Sequence, residues 1–239
     1  MISILFYILH WLGCVFIKTY KIHFIRHGIT QGNLDGKYVG ITDYPLCRDG
    51  IEELEELRHE YEYPKAQKVY TSPLLRCVQT ADILFPDILT EPVDDMKEYN
   101  FGAFEDKTML ELQNNPDFQK WLASGMVDTP VGGEDKQEFY LRLKRGFDKI
   151  LADMMQLKIY DAAVITHGGV IMGLLAMFGY PKRKPLDWRV GNGKGYTALI
   201  TPQIWAGGQV FEVFDPLPYG CADIASLTGY NIVEIDNRE

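Results

Sequence analysis

The side chains best equipped for chemistry in this chain sit where apolar runs stop abruptly. Ile22, Phe24 and Ile25 lead into Arg26-His27-Gly28, and Asp161 to Thr166 lead into His167-Gly168-Gly169. Between them, Lys68 to Thr71 leads into Ser72-Pro73-Leu74 and Arg76. A β-prone run that ends in this way is a buried strand delivering polar groups to its carboxyl end. Open α/β sheets hold their ligands there, and the glycines let a ligand approach the backbone. Two arginines and two histidines without metal-ligand spacing make an anion pocket, with no metal or cofactor implied. A phosphoryl group is its natural occupant, because a guanidinium fork matches the oxygens in pairs and a helix amino end adds donors. A neutral imidazole can attack phosphorus in line, and fixed cations stabilise the charge gathering on the nonbridging oxygens. A leaving alkoxide needs a proton. Glu98 can give it if burial raises its pKa, although Glu105 and Asp95 are nearby carboxylates that could take the same part.

Regular elements must position these groups. Thr30 to Pro45 is rich in Gly, Asn, Asp and Thr and reads as a loop over the first strand end; Thr30 and Asn33 either assist at the anion or shape that loop. Asp49 to Glu52 has capping-box spacing ahead of an apolar stripe of Ile51, Leu54 and Leu57. Ser72-Pro73 reads as an N-cap with proline at the first helical position, which aims a helix amino end and Arg76 at the edge holding His27. Phe85-Pro86 closes that helix. Glu91 to Pro130 is less regular, with helical pieces at 108–114 and 118–123, and is expected to form a lid-like insertion. Phe139, Leu143, Phe147, Ile150, Leu151 and Met154 define a long amphipathic helix. Pro181 to Pro185 is a basic turn. Tyr196 to Thr201 and Gln209 to Phe214 read as antiparallel strands joined through Ala206-Gly207-Gly208, and Gly220 to Glu239 as a strand pair or tail. Strands alternating with helices predict a mainly parallel sheet whose active junctions share one edge.

The length of 239 residues suits one α/β domain, placed at residues 18–239. A formal net charge of -9 argues against nucleic-acid and anionic-membrane surfaces, so any anion site must be a local positive pocket in an acidic body. Residues 1–17 are almost wholly apolar. They read as an extension, as packed structure, or as a membrane anchor that Lys18 and Lys21 would orient with the domain on the cytoplasmic side. Cys14, Cys47, Cys77 and Cys221 lie far apart with no C-x-x-C pair, as expected for reduced thiols of a cytoplasmic protein. Oligomeric state leaves no trace here.

Five motifs in order, Arg26-His27-Gly28 with Thr30 and Asn33, Ser72-Pro73-Leu74 with Arg76, Gln79 and Thr80, Glu98 with Phe101-Gly102, Gly133-Glu134 with Arg142, and His167-Gly168-Gly169, resemble the histidine phosphatase superfamily. The resemblance implies the phosphoglycerate mutase-like fold, a three-layer α/β/α sandwich with a mainly parallel sheet. It implies that His27 is the phosphorylated nucleophile and that Arg26, Arg76 and His167 cradle the phosphate with Thr30, Asn33 and Gly168. Glu98 would be the general acid that later activates water, and no metal would be needed. Asn100 to Glu105 and the short link to Gly133-Glu134 look like the alpha-ribazole and broad-specificity phosphatase branch. Mutases carry a longer insertion with arginines, and this chain has none between Arg76 and Arg142. A mutase-type phosphotransferase is the alternative, and a non-catalytic phospholigand-binding protein a further one. Asp106 and Asp135 depart from the glycine and serine common in the family, which bears on substrate fit.

Overall fold

Seven strands share one sheet in the computed structural model, which describes residues 18–221. They are β1 (Tyr20–Arg26), β2 (Lys68–Thr71), β3 (Thr90–Pro92), β4 (Asp161–Thr166), β5 (Gly179–Tyr180), β6 (Gly195–Ile200) and β7 (Phe211–Leu217). Their spatial order is β3-β2-β4-β1-β6-β7-β5. β1, β4, β2 and β3 run parallel to one another, as the strand–helix alternation predicts. β6 is antiparallel to both β1 and β7. The expectations for residues 1–17 and 222–239 lie outside the described residues. Among the described residues no helix is long and apolar enough to cross a membrane.

Register decides what the sheet presents. Arg26 pairs with Thr166 across β1 and β4, and Thr71 with Ile165 across β2 and β4. The residues that follow, His27, His167 and Ser72, therefore emerge side by side at one edge. β1 is buried at every position but Lys21, as a strand covered on both faces must be.

The helices are α1 (Gln31–Leu34), α2 (Arg48–Glu60), α3 (Leu75–Leu84), α4 (Met109–Leu112), α5 (Pro116–Ala123), α6 (Lys136–Leu157), α7 (Gly168–Phe178) and α8 (Pro202–Gly208). Ile22 and Phe24 of β1 and Val164 of β4 join a core with α6 and α7. The alternate residues Ile25 and Ile165 join a second core with Leu54 of α2 and Cys77, Ala81 and Leu84 of α3. Helices thus cover both faces, giving the three layers. All six apolar residues expected on α6 are buried, each contributing about 1.5–3 kcal/mol relative to exposure. A third nucleus of Phe104, Leu112, Phe118 and Trp121 lies inside the insertion and packs against Tyr38 of the first loop.

Several local expectations fail for identifiable reasons. α2 begins at Arg48 with Cys47 as its N-cap, so Asp49 sits in the first turn, favourable to the helix dipole, and forms no capping box. α3 begins at Leu75 rather than Pro73, with Leu74 extended as its N-cap; the Ser72 hydroxyl accepts from the Leu74 N–H at 3.4 Å ahead of the helix. Residues Thr90–Pro92 and Gly179–Tyr180 are strands by virtue of their sheet neighbours, being too short for a period of their own. The expected turn at Ala206 is the end of α8, which starts on Pro202.

Candidate active site

The β1–β4 ladder continues one residue past the strands, with the His27 N–H donating to the Thr166 carbonyl at 2.9 Å. This bond sets His27 beside His167, and the two imidazole rings lie 5.2 Å apart at 64°. His27 Nδ1 is 2.6 Å from the Gly28 carbonyl oxygen. A carbonyl can only accept, so Nδ1 carries the proton and Nε2 of the neutral ring holds its lone pair. Burial, then the charges of Arg76 and Arg26, keep the His27 pKa well below the ordinary value, so the ring is neutral. The backbone beneath is pinned. Thr80 Oγ1 accepts from the Gly28 N–H at 2.9 Å, and Asn192 Nδ2 donates to the carbonyls of His27 and Gly28 at 2.9 and 3.2 Å.

Arg76, on the first turn of α3, is fully buried. It donates from Nε to His167 Nδ1 at 3.3 Å, from Nη1 to the Thr42 carbonyl at 2.8 Å and from Nη2 to the Gly40 carbonyl at 2.6 Å. A guanidinium has five N–H donors, so two remain for an anion. Since His167 Nδ1 accepts, its Nε2 carries the proton and donates to Ser72 Oγ at 2.8 Å. His167 is neutral, its pKa held well down by burial and then by Arg76. Arg26 donates from Nη1 to the Val190 carbonyl at 3.1 Å.

Glu98 approaches from the insertion side. Its Oε2 accepts from the Gly169 N–H at 2.9 Å and its Oε1 from the Tyr99 N–H at 2.8 Å. Burial raises its pKa, opposed by those two hydrogen bonds and by Arg76 and Arg26. A Cβ at Gly169 would collide with Glu98 Oε1, so a larger residue there has to displace the Glu98 carboxylate. Arg142 ties the chain around Glu98 in place. It forms a bidentate pair with Glu134 and donates to the carbonyls of Asp95, Lys97 and Glu98.

The competing carboxylates have other tasks. Glu105 accepts from the N–H groups of Gly40, Ile41, Thr42 and Phe101 and from the Thr42 hydroxyl, so it organises the loop whose carbonyls hold Arg76. Asp95 pairs with Arg145. Asp106 adopts φ 60°, a left-handed conformation that glycine serves easily and Asp tolerates, and binds Lys37 and Tyr44. Asp135 caps α6 through the N–H groups of Gln137 and Glu138, a task serine performs equally well. Both departures from the family pattern thus have local structural reasons.

Thr30 and Asn33 form the capping box of α1. The Thr30 N–H and hydroxyl each donate to Asn33 Oδ1 at 3.1 Å, which leaves the Asn33 amide donors on the other branch of the side chain. Gly168 opens α7, where N–H groups have no intrahelical partner. The sequence reading missed Asn192; its Asn-Gly dipeptide signals a turn, but nothing local connects that turn to His27.

Residues 22–210 match the sequence profile of the histidine phosphatase superfamily (branch 1). The chain belongs to this superfamily. An adenosylcobalamin/alpha-ribazole phosphatase of Escherichia coli (strain K12) is 28% identical over 179 residues, covering 72% of this chain and 86% of that protein. The sedoheptulose 1,7-bisphosphatase of Saccharomyces cerevisiae is 24% identical over 239 residues, covering 88% of each. Among solved structures, the alpha-ribazole phosphatase from Shigella flexneri superposes with a TM-score of 0.66 at 26% identity, over 74% of this chain and 89% of that one. A phosphoglycerate mutase from Bacillus anthracis shares the fold, with a TM-score of 0.67 at 20% identity, over 83% and 92% of the two chains. This histidine phosphatase accordingly has the phosphoglycerate mutase-like architecture and acts on a small phosphorylated substrate.

Proposed function

We propose that this histidine phosphatase hydrolyses small phosphomonoesters through a phosphohistidine formed on His27. The observation that carries the reading is the Nδ1–H···O=C bond to Gly28, which leaves Nε2 of a neutral ring as the nucleophile. Nε2 attacks phosphorus in line and the ester P–O bond breaks. Arg26 and Arg76 supply fixed charge to the nonbridging oxygens, with the Asn33 amide and the Gly168 N–H adding neutral donors. His167 holds Arg76 through Nδ1 and lends its ring to the pocket wall. Glu98, whose pKa burial raises, gives a proton to the departing alkoxide. As a carboxylate it then takes a proton from the water that attacks phosphorus, which restores both His27 and the acid and releases inorganic phosphate.

The names of its relatives put alpha-ribazole phosphate and sedoheptulose 1,7-bisphosphate on the panel of substrates to be tried. A mutase would have to retain its phosphorylated acid between two transfers, and the lack of arginine from 77 to 141 supports release and hydrolysis instead. The test is steady release of phosphate from p-nitrophenyl phosphate and from the panel in the presence of EDTA, abolished by His27→Ala. Interconversion of 2- and 3-phosphoglycerate faster than phosphate release would reverse the assignment.

A further inference from the structure

Lys136 is a cation in a poor place for stability. It is the first residue of α6, where the amino-terminal partial charge of the helix repels it. It is half-buried, and burial lowers its pKa. Among the described residues no hydrogen bond or ion pair reaches its ammonium, which lies 5.4 Å from the centroid of the Tyr99 ring. The charge acting on it is the Glu98 carboxylate. Exposed lysines avoid all three conditions by turning outward into water. Here the Tyr99 ring and the charge of Glu98 stand in for a hydrogen-bonded partner.

Its position gives it a use. Glu98 marks the side of the phosphorus from which the alcohol leaves, and Tyr99 follows Glu98 directly. The Tyr99 N–H donates to Glu98 Oε1, and Lys136, over the Tyr99 ring, is close enough to Glu98 for their charges to interact, which sets this cation on the Glu98 side of the site. We propose that Lys136 is a specificity-determining residue that binds a second oxyanion, a carboxylate or a second phosphoryl group, carried by the alcohol of the phosphomonoester. This rests on the phosphatase reading above and narrows it to substrates with two anionic groups. The Tyr99 ring partly desolvates the ammonium and holds it ready, so a second anion restores the full charge partnership that the folded chain alone does not provide.

The test compares substrates matched apart from that group: 3-phosphoglycerate with glycerol 3-phosphate, and fructose 1,6-bisphosphate with fructose 6-phosphate. In Lys136→Met the ratio of kcat/KM for the member with two anionic groups to that for its partner falls by about tenfold to a hundredfold, mostly through KM, and Lys136→Arg restores it. The carboxylate and bisphosphate arms tell which oxyanion is read. Equilibrium binding of phosphonate analogues of the same pairs to the unmodified and Lys136→Met proteins gives the same discrimination without turnover. A ratio within about twofold of the unmodified enzyme in both measurements overturns the proposal. So does an equal fall for both members of each pair, which would mean that Lys136 acts only through Glu98. Should the unmodified protein release no phosphate from any substrate, the phosphatase reading fails, while the phosphonate arm still decides for or against Lys136.

Discussion

Replacing Glu98 by Gln separates its catalytic work from its structural work. Each carboxylate oxygen accepts one backbone N–H, from Tyr99 and from Gly169. Glutamine keeps one acceptor, but its amide nitrogen then faces a donor, and one buried N–H is left unpaired at a cost of about 1–3 kcal/mol. For a chain of this size that lowers Tm by about 2–4 °C per kcal/mol, so Glu98→Gln remains folded at room temperature and its kinetics can be read. Loss of general acid catalysis slows cleavage of an alkyl phosphate by about 10²–10⁴-fold. p-Nitrophenyl phosphate, whose leaving group needs no proton, still phosphorylates His27, but the water step lacks its base. The expected result is a burst of p-nitrophenol equal to the enzyme concentration, followed by slow turnover. Rapid quench with intact-protein mass spectrometry should then find one phosphoryl group on the enzyme. Equal slowing on both ester types, with no burst and no phosphorylated protein, would remove Glu98 from the mechanism.

Two further expectations follow from the same geometry. His27 and His167 are held neutral in the fold but take protons in the unfolded chain below about pH 6.5, so unfolding binds protons and stability falls as pH drops, by about 1.4 kcal/mol per unit for each. Glu98, raised in the fold, keeps a proton that the unfolded chain loses above about pH 4.3, and offsets one histidine wherever both titrate. Urea midpoints between pH 7.5 and 5.5 should show a shallower acid-side loss for His167→Asn than for the unmodified protein; equal slopes refute the assignment. Glu105→Ala removes five hydrogen bonds from the loop that holds Arg76, costing roughly 2–3 kcal/mol and lowering Tm by about 4–12 °C. Because Gly40 and Thr42 then hold Arg76 less well, KM for phosphomonoesters should rise more than kcat falls, and an unchanged KM would count against the link.

Much of this site is legible in the chain because strand ends are punctuated. An apolar run closed by His-Gly tells both where the strand stops and what it presents, and parallel register brings His27 and His167 together without further instruction. The period of α6 is similarly unambiguous, since Phe139 to Met154 must face one core. Ser72 does not cap α3, because the chain stays extended through Leu74 and the Ser72 hydroxyl meets the Leu74 N–H and His167 before the helix begins. β3 and β5 escaped because two or three residues carry no period, and pairing with β2 and β7 alone makes them strands. Glu98 could be told from Glu105 only in three dimensions, where one carboxylate meets Gly169 and the other a loop. Lys136 was passed over for a general reason: along a sequence, a lysine in a polar stretch looks solvated, and only packing reveals that it is not.

The separate nucleus of Phe104, Leu112, Phe118 and Trp121 has a consequence for how far a substitution there can reach. The segment carrying it coheres largely through its own aromatic contacts, whereas the nucleophile is braced by strands, by Thr80 and by Asn192 from elsewhere in the chain. Substitutions among those four side chains therefore reach His27 only indirectly, whereas Glu105 in the same segment stays tied to the loop that holds Arg76.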